Sequence, residues 1–260
     1  MPFHQPDSIR YYTFDILDAA SVTHAVFTRR GGLSPAPWAE LNVGATVGDD
    51  QDNVRENRQR SLRLLGREPE SMYDVWQVHS AQVVRADAPR PIDQPHLQAD
   101  IILTDRPEVT LFMRFADCVP VLLHDPVRRV VGLVHAGWLG TVRRAAQVAV
   151  QAMQAEYGSQ PADIQAGIGP SIGVDHYEIG PEVADQVRQV FGEDASTLLP
   201  GYNNGAVHFD LWSANRLLLE RAGLRHIQVA EICTACHVDD WYSHRKEDGR
   251  TGRFGALINL

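Results

Sequence analysis

The sequence predicts a single α/β domain over residues 1–260, of the mixed α+β kind in which mixed β-sheets are covered by helices. Three observations lead to this fold class. Short β-rich runs fill the middle of the chain, and amphipathic helical patterns stand before and after them without strict alternation. The 44% hydrophobic and 22% charged residues are typical of a soluble globular chain. No change in composition marks a boundary, and two intimately packed halves are the alternative.

The first predicted element is a helix over Asn53–Gly66, because Val54, Leu62 and Leu65 recur near one face. Asn53 would cap its start and Gly66 would end it. Six strands are then expected, because Pro, Gly and Asp residues separate short β-rich runs. They cover Asp74–His79, Gln82–Ala86, Asp100–Thr104, Val109–Phe115, Val119–His124 and Val130–His135.

Helical patterns return in the second half of the chain. They cover Thr141–Tyr157, Pro181–Phe191 and Leu211–Ala222. Pro181 suits a first helical position, Asp210 is expected to cap the last helix, and Gly223 is expected to end it. The strands around these helices are predicted at Gln165–Ile168, Ile227–Glu231 and Phe254–Asn259.

Charge and cysteine content limit the partners and the compartment. The formal net charge of −9 argues against nucleic acid or an anionic membrane as the main partner, although it leaves room for a local basic pocket. Three cysteines cannot all be paired, which fits a reducing cytosol. The start of the sequence shows no signal-peptide pattern, and the longest apolar stretches have five residues. A cytoplasmic chain without a membrane span is therefore expected.

Three polar residues interrupt apolar runs at the ends of predicted strands: His79, Cys118 and His135. One thiolate and two imidazoles suit Zn²⁺, and three protein ligands leave the fourth position open, as in catalytic zinc sites. The same residues also fit a cysteine nucleophile with a histidine base, in which Asp117 would orient the pair. The residue pattern alone leaves both interpretations open.

Other short motifs give weaker signals. Cys233-Thr-Ala-Cys236-His237 matches both the c-type haem attachment pattern and, in its first four residues, a thioredoxin-like pair. Haem attachment needs export and a redox pair should open a helix, so a structural turn is predicted there. The loops Arg29–Gly32 and Gly167–Gly173 are able to present backbone N–H groups or a guanidinium to an anion, and Arg245 lies in a basic segment near the C-terminus.

Taken in order, ten segments resemble one family from about Thr28 to the C-terminus. They are Thr28–Ser34, Leu41–Gly44, Val47–Asp50, Asn57-Arg58, Gln77–His79, Ala116–Pro120, His135–Trp138, Gly169–Gly173, Cys233-Thr234, and Ser243–Arg245 with Thr251–Arg253. The chain resembles the YfiH-type laccase-domain family, whose members are also described as multicopper polyphenol oxidase-like proteins and as purine nucleoside phosphorylases.

This resemblance implies a single α/β domain with one zinc ion held by His79, Cys118 and His135. It also implies phosphorolysis of adenosine, inosine and S-methyl-5′-thioadenosine, with adenosine deamination besides, so that purine nucleosides and phosphate are the expected partners of a monomer or small homo-oligomer. Candidate contacts to nucleoside or phosphate are Arg29, Asn42, Gln77, Ser171 and Arg245. The chain departs from the family at Leu139, where arginine is frequent, and at Val174-Asp175-His176, where cysteines are frequent.

Two rival activities are also considered. The cysteine nucleophile would give a hydrolase, acting for example on amides of peptidoglycan precursors. A multicopper oxidase would need about ten histidines arranged in His-x-His pairs, and none of the 11 histidines forms such a pair. Copper is therefore expected only as an adventitious substitute in the zinc site, with phenol oxidation as a by-product.

Overall fold

Two mixed six-stranded β-sheets lie against each other in the computed structural model, which describes residues 2–201 and 205–260. The strands are β1 (Phe3–His4), β2 (Tyr11–Tyr12), β3 (Thr23–Phe27), β4 (Met72–Tyr73), β5 (Val83–Arg85), β6 (Ile101–Thr104), β7 (Thr110–Phe115), β8 (Val119–Asp125), β9 (Val130–Ala136), β10 (Gln165–Ile168), β11 (Glu178–Ile179), β12 (Val207–His208), β13 (His226–Val229) and β14 (Phe254–Asn259). The first sheet has the order β1-β2-β3-β14-β7-β4 and the second β13-β10-β8-β9-β6-β5, while β11 and β12 pair separately.

Helices cover the outer faces of the two sheets, except α1 (Asp15–Asp18), whose Leu17 packs into the cluster between them. The other helices are α2 (Gln51–Leu64), α3 (Trp138–Val142), α4 (Ala145–Tyr157), α5 (Pro181–Phe191), α6 (Ala195–Leu198) and α7 (Leu211–Arg221), with short 3₁₀ turns at Pro69–Ser71, Val174–His176 and Gly192–Asp194. One apolar cluster joins α2 to the first sheet, a second fills the space between the sheets, and a third joins the second sheet to α4, α5 and α7. The expected fold class, mixed sheets covered by helices, is confirmed.

Strand β8 shows how the layers arise from the sequence. Val121 and Leu123 face the helical layer, whereas Leu122 faces the first sheet, because successive side chains of a strand point to opposite faces. Both faces of the second sheet are covered, so all seven residues of β8 are buried. A strand buried on both faces reads as a continuous apolar run, which is why Val119–His124 was recognisable in the sequence.

Several elements form as predicted. Helix α5 and strands β10 and β14 have the predicted bounds, and α7 begins after Asp210, whose carboxylate accepts a hydrogen bond from the Ser213 N–H. Helix α2 starts two residues earlier than predicted, because Asp50 rather than Asn53 caps it by accepting from the N–H groups of Asp52 and Asn53. Gly66 follows its end in the left-handed conformation, with φ of 68°.

Two predicted elements are wrong. The strand expected over Asp74–His79 does not form: β4 ends at Tyr73, and only Trp76 makes an isolated bridge. The N–H groups of Val78 and His79 bond to a carboxylate instead of a neighbouring strand. The helix expected over Thr141–Tyr157 is two helices, α3 and α4, because Arg144 between them adopts φ of 61°. Arg143 at this break donates a hydrogen bond to the His79 carbonyl oxygen at 2.8 Å.

No helix or strand bounds were predicted before residue 50, where the structure has β1, β2, β3 and α1. Within the described ranges, the structure has no helix that is long and apolar enough to cross a membrane.

Candidate metal centre and its cavity

Pairing of β8 with β9 brings Cys118 and His135 together. Cys118 immediately precedes β8, and His135 stands near the end of β9 opposite Pro120 in the antiparallel register. His79 comes from the loop before β5, and its Nε2 lies 4.0 Å from the Cys118 Sγ. One ligand atom of each of the three side chains lies within 4.8 Å of the others. The structure thus assembles a possible metal-binding group from residues far apart in sequence.

The loop that carries His79 is held by one buried carboxylate. Asp100 accepts hydrogen bonds from the N–H groups of Val78, His79 and Ser80 at 3.2, 3.0 and 2.6 Å. His79 itself has φ of 58°, a left-handed conformation that costs a side-chain-bearing residue about 1–2 kcal/mol. The three hydrogen bonds to Asp100 offset this cost and hold the His79 backbone in place.

The same carboxylate orients His135. The Nδ1 atom of His135 lies 2.8 Å from an oxygen of Asp100, and this contact leaves Nε2 for a second partner. Burial alone would raise the pKa of Asp100, but the hydrogen bond and charge of His135, together with the bonds from Ser80, lower it to about 2. Asp100 is therefore ionised at neutral pH and holds both histidines of the group.

In the absence of metal, Cys118 and His135 favour each other's charged forms. Burial opposes ionisation of both groups, yet the charge and hydrogen bonding of His135, followed by those of His79, lower the pKa of Cys118 to about 6. The Cys118 thiolate and Asp100 in turn raise the pKa of His135 to about 9. A thiolate is the form of cysteine that binds metals and also the form that attacks electrophiles, so the geometry is compatible with both interpretations of the sequence.

Gly137 makes room for the thiol. A Cβ atom at this position would lie 2.6 Å from the Cys118 Sγ, closer than any real contact allows. The backbone of Gly137 has φ of −70°, which every residue type can adopt, so the requirement for glycine is steric rather than conformational. This explains why glycine follows His135-Ala136 before α3 begins.

The three side chains line a cavity of about 390 Å³. Its other lining residues are Gly44, Ala45, Thr46, Arg58, Trp76, Gln77, His96, Arg114, Ala116, His244 and Arg253. This volume is within the range of small-molecule sites. Three arginines in the wall of a cavity are notable in a chain of net charge −9, because they concentrate positive charge in one place.

A buried carboxylate organises two of these arginines. Asp74 lies 2.8 Å from Arg90 Nε, 3.0 Å from His96 Nε2, 3.3 Å from Arg114 Nη1 and 3.6 Å from Arg58 Nη1. Burial would raise the pKa of Asp74, but its contacts with His96, Arg114 and Arg58 lower it far below its usual range. Three guanidinium groups share one carboxylate, so positive charge remains uncompensated at the cavity wall.

Arg58 is a buried arginine whose charge is only partly balanced. Burial, the nearby Arg114 and Arg90 together lower its pKa to about 10, although Asp74 opposes the shift. Its Nε donates to the Val43 carbonyl oxygen at 2.9 Å, whereas its buried Nη2 has no hydrogen-bond partner in the described part of the chain. A buried guanidinium nitrogen without a partner is costly. The positive charge of Arg58 in the cavity lining favours an anion in the cavity.

This arginine group was not predicted from the sequence. Arg58 was noted only within Asn57-Arg58 and Arg253 only within Thr251–Arg253, and Arg114 was not singled out. Arg58 stands on α2, Arg114 on β7 and Arg253 just before β14, so no sequence spacing joins them. The available signal was the presence of arginine inside two of the recognised motifs.

Gln77 is the predicted substrate contact that does line the cavity. Its Oε1 accepts hydrogen bonds from the Arg114 N–H at 3.0 Å and from Arg114 Nε at 3.1 Å. Its amide nitrogen donates to the Arg114 carbonyl oxygen at 2.8 Å. Gln77 therefore fixes Arg114 in the wall.

Asp117 and Arg245 lie beside the centre rather than in the cavity lining. The Asp117 carboxylate accepts from Thr234 Oγ1 at 2.6 Å and from the Arg245 N–H at 2.7 Å. Asp117 has φ of 76°, and these bonds hold that strained residue next to Cys118. The Arg245 guanidinium donates to the Glu178 carbonyl oxygen and lies over the Tyr177 ring.

The other three candidate contacts lie outside the cavity lining, in the part of the chain that is described. Arg29 donates to Ala39 and Val238 carbonyl oxygens and to Glu247. Asn42 is buried, and its Oδ1 accepts from the N–H groups of Gly44 and Arg253, both of which do line the cavity. Ser171 is buried and accepts a hydrogen bond from Trp212.

A family model described as multi-copper polyphenol oxidoreductase laccase matches residues 23–260. The chain belongs to this family. The expected YfiH-type resemblance is confirmed, and Leu139, one of the two noted departures, packs against the apolar cluster of the helical layer.

Proteins named purine nucleoside phosphorylase are similar to this chain over nearly its full length. A purine nucleoside phosphorylase of Deinococcus radiodurans is 40% identical over 241 residues, covering 92% of this chain and 90% of that protein. The purine nucleoside phosphorylase YlmD of Bacillus subtilis is 35% identical over 243 residues, covering 90% and 86%. These names support a nucleoside phosphorylase-like enzyme.

Solved structures agree in fold. The crystal structure of the Bacillus licheniformis hypothetical protein YfiH superposes with a TM-score of 0.92 at 33% identity, covering 100% of this chain and 99% of that one. The crystal structure of YlmD from Geobacillus stearothermophilus has the same TM-score and identity, covering 99% and 98%. The layered arrangement of sheets and helices is therefore common to these family members.

Proposed function

We propose that this chain is a zinc-dependent purine nucleoside phosphorylase that acts on adenosine, inosine and S-methyl-5′-thioadenosine. The observation that carries the proposal is that a His/Cys metal-binding group and an arginine wall, formed by Arg58, Arg114 and Arg253, share one cavity. Phosphorolysis needs an anion site for phosphate, room for a purine and stabilisation of the charge that develops as the glycosidic bond breaks. The names of the relatives agree with this reaction.

Zinc fits the donor set of the centre. His79, Cys118 and His135 would hold the ion through two imidazoles and one thiolate, a set that leaves a fourth position open. Asp100 supplies the carboxylate that a metal-bound histidine normally has behind it. When bound there, zinc would supply a Lewis acid next to the substrate.

Phosphate would occupy the arginine wall. Arg58, Arg114 and Arg253 line the cavity, so phosphate there would meet three guanidinium groups. A phosphate carries about 1.5 to 2 negative charges near pH 7, which offsets the excess of guanidinium over carboxylate around Asp74. Arg90 and His96 keep Asp74 in place, so the wall is organised before the anion arrives.

The purine would lie against Trp76. This side chain lines the cavity and is 47% exposed, which is unusual for a tryptophan next to a buried charge cluster. An exposed aromatic face stacks on nucleobases with little preference among them, so it accommodates both adenine and hypoxanthine. Asp117, proposed as a catalytic residue, has both carboxylate oxygens occupied by Thr234 and Arg245, and it would act by positioning Cys118.

The test is base release with and without phosphate. Purified zinc-loaded protein is incubated with adenosine, inosine and S-methyl-5′-thioadenosine, and chromatography follows the free base, the sugar 1-phosphate and inosine formed from adenosine. We expect base release that depends on phosphate and yields equal amounts of base and sugar phosphate. Inosine formed from adenosine without phosphate would demonstrate the accompanying deaminase activity.

The rival activities give different results in the same assay. Equal base release with and without phosphate would indicate a hydrolase. Activity that survives zinc removal but disappears on thiol alkylation would indicate a Cys118 nucleophile, the amide hydrolase interpretation. Copper-stoichiometric oxygen consumption by the protein as isolated would indicate a polyphenol oxidase, and inactivity over the whole panel would indicate a binding role.

A matched pair of arginine variants tests the phosphate site. Arg58→Ala removes a guanidinium that lines the cavity, whereas Arg55→Ala removes an exposed arginine of the same helix that pairs with Asp52. We expect Arg58→Ala to raise the KM for phosphate by about tenfold or more, which is about 1.4 kcal/mol, with a smaller change in the nucleoside KM. Arg58→Lys should restore part of the loss, and Arg55→Ala should change neither constant. An unchanged phosphate KM in Arg58→Ala would place the anion elsewhere.

A further inference from the structure

A second group of metal-ligating side chains lies outside the cavity lining, within the described residues. His176, Cys233 and Cys236 each offer one ligand atom, and these atoms lie within 4.8 Å of one another. The Nδ1 of His176 is 3.7 Å from the Cys233 Sγ and 3.6 Å from the Cys236 Sγ. Both cysteines are free thiols.

These separations match those around a tetrahedral metal ion. With Zn–S bonds of about 2.3 Å and Zn–N bonds of about 2.0–2.1 Å, a tetrahedral ion holds sulfur and nitrogen about 3.6 Å apart. Hydrogen bonding accounts less well for the arrangement, because one imidazole nitrogen can pair with only one of the two thiols. A metal ion between the three atoms would bind all of them at once.

The local fold prepares this arrangement. Ser171 forms an isolated β-bridge with Cys233, which places the loop after β10 beside the segment after β13. The Gly173 N–H donates to the Cys233 Sγ at 3.2 Å, a contact that stabilises a thiolate. His176 follows in the 3₁₀ turn that starts at Val174. The ligands therefore come from two chain segments that are already joined.

The three residues differ in exposure. Cys233 is only 8% exposed, His176 is half-buried and Cys236 is exposed. One side of the group is therefore open to solvent, so that water can complete a four-coordinate site. Two thiolates and one imidazole are a softer donor set than that of the cavity centre and favour Zn²⁺ over hard cations.

We propose that His176, Cys233 and Cys236 form a second zinc site, which joins the 171–177 loop to the 233–236 turn. Its role is structural. Thr234 donates to the Asp117 carboxylate, and the Ile172 N–H donates to the Asp117 carbonyl oxygen at 3.0 Å. The site thus fixes two segments that hold Asp117, which precedes Cys118 of the cavity centre. The proposal is independent of the reaction catalysed in the cavity.

Metal content of the intact protein and of three variants tests the proposal. We expect about two zinc ions per chain in the parent protein and about one in both Cys118→Ser and Cys236→Ser. His237→Gln is the matched control, because it replaces an exposed metal-ligating side chain next to Cys236 that lies outside the group, and it should keep both ions. Cys236 is exposed, so its replacement should not prevent folding, and thermal unfolding of the zinc-loaded proteins checks this.

Cobalt substitution provides a second readout. The Cys118→Ser protein loaded with Co²⁺ should show strong thiolate-to-cobalt charge transfer from two sulfurs, and the Cys236→Ser protein a weaker band from one. The proposal is overturned if Cys118→Ser holds neither zinc nor cobalt while a thiol reagent titrates both remaining cysteines, or if Cys236→Ser keeps the metal content of the parent protein. A Cys233–Cys236 disulfide in protein purified under reducing conditions would overturn it as well.

Discussion

The two His/Cys groups of this protein use the same kinds of ligand in different surroundings. The cavity centre has two imidazoles and one thiol, with 4.0 Å between the Cys118 Sγ and His79 Nε2. The second group has one imidazole and two thiols, with sulfur–nitrogen separations of 3.6 and 3.7 Å. By distance alone, the second group is the better match to a tetrahedral ion.

What separates the two groups is their surroundings. Asp100 orients the His135 ring and holds the His79 backbone in the first group, and an arginine wall and Trp76 share its cavity. The second group joins two chain segments and has an exposed cysteine. A set of metal ligands therefore indicates binding, whereas catalysis requires room for a substrate and fixed charges near the open position.

The largest expected difference between the groups comes from replacing one cysteine in each. Cys118→Ser should lower kcat/KM for phosphorolysis by more than about 100-fold, because the serine hydroxyl stays protonated at neutral pH and cannot replace the thiolate as a zinc ligand. Cys236→Ser should change kcat/KM by less than about threefold, because Asp117 keeps its hydrogen bonds from Thr234 and Arg245 when the second ion is lost. Steady-state kinetics with saturating phosphate measures both. Equal losses would show that the two groups act as one unit.

The carboxylate behind the cavity centre gives the next largest effect. Asp100→Asn removes the charge that orients His135 and binds the His79 loop, and it should lower zinc affinity and activity by about 10–100-fold. Competition with a zinc-binding dye measures the affinity. Asp87→Asn, at an exposed aspartate that pairs with Arg85, is the control. A variant with unchanged zinc affinity would contradict the role given to Asp100.

Acid titration of the zinc-free protein gives an independent check on Asp100. The folded-state pKa of about 2 lies below the ordinary value, so its contribution to stability is present above about pH 4 and lost as the pH falls through about 2. Asp100→Asn lacks this contribution. Its free energy of unfolding should therefore fall less than that of the parent protein across that interval, as measured by urea unfolding.

Elements with signals inside their own segment were predictable from the sequence, and elements fixed by distant partners were not. Pro181 and Asp210 mark the starts of α5 and α7 locally, and both helices were expected. The Asp74–His79 segment has a strand-like composition, but its N–H groups bond to Asp100, more than twenty residues away. The left-handed Arg144 that separates α3 from α4 gives no local signal at all.

The candidate site shows the same division. His79, Cys118 and His135 stood out because each interrupts an apolar run inside a recognisable motif. The arginine wall forms only when β14 pairs with β7, which sets Gly255 opposite Arg114 and brings Arg253 close. His176 meets Cys233 only through the bridge at Ser171, so the Cys-x-x-Cys motif alone indicated no more than a turn.

A glycine packs against a cysteine in each group, so a glycine-to-alanine substitution can displace the thiol without removing it. A Cβ at Gly137 would lie 2.6 Å from the Cys118 Sγ, whereas one at Gly173 would lie 3.2 Å from the Cys233 Sγ. Gly137→Ala should reduce activity by about tenfold or more, because small misplacements at a catalytic centre are costly. Gly173→Ala should reduce metal content at the second group and leave activity within about threefold.

Gly201→Ala controls for the loss of glycine itself, because a Cβ there meets no atom of the described residues within 4 Å. Activity and zinc content are measured for all three variants. If Gly173→Ala impairs phosphorolysis as much as Gly137→Ala, then the distinction between a catalytic and a structural group is wrong.

The smallest expected difference lies in thiol reactivity at neutral pH once zinc has been removed. The pKa of Cys118 is lowered to about 6 by His135 and His79 despite burial, so its thiolate fraction rises through pH 6. Burial and the nearby Cys233 raise the pKa of Cys236 above its ordinary value. Because a thiolate of low pKa is also a weaker nucleophile, we expect Cys118 to react only about a few times faster than Cys236 at pH 7.

The pH profile of alkylation distinguishes the two cysteines better than the rate does. Alkylation followed by peptide mass spectrometry should give a midpoint near pH 6 for Cys118, and this midpoint should shift upward in Asp100→Asn. Cys236 should react only at alkaline pH. Coincident pH profiles for the two cysteines would contradict the expected difference between their pKa values.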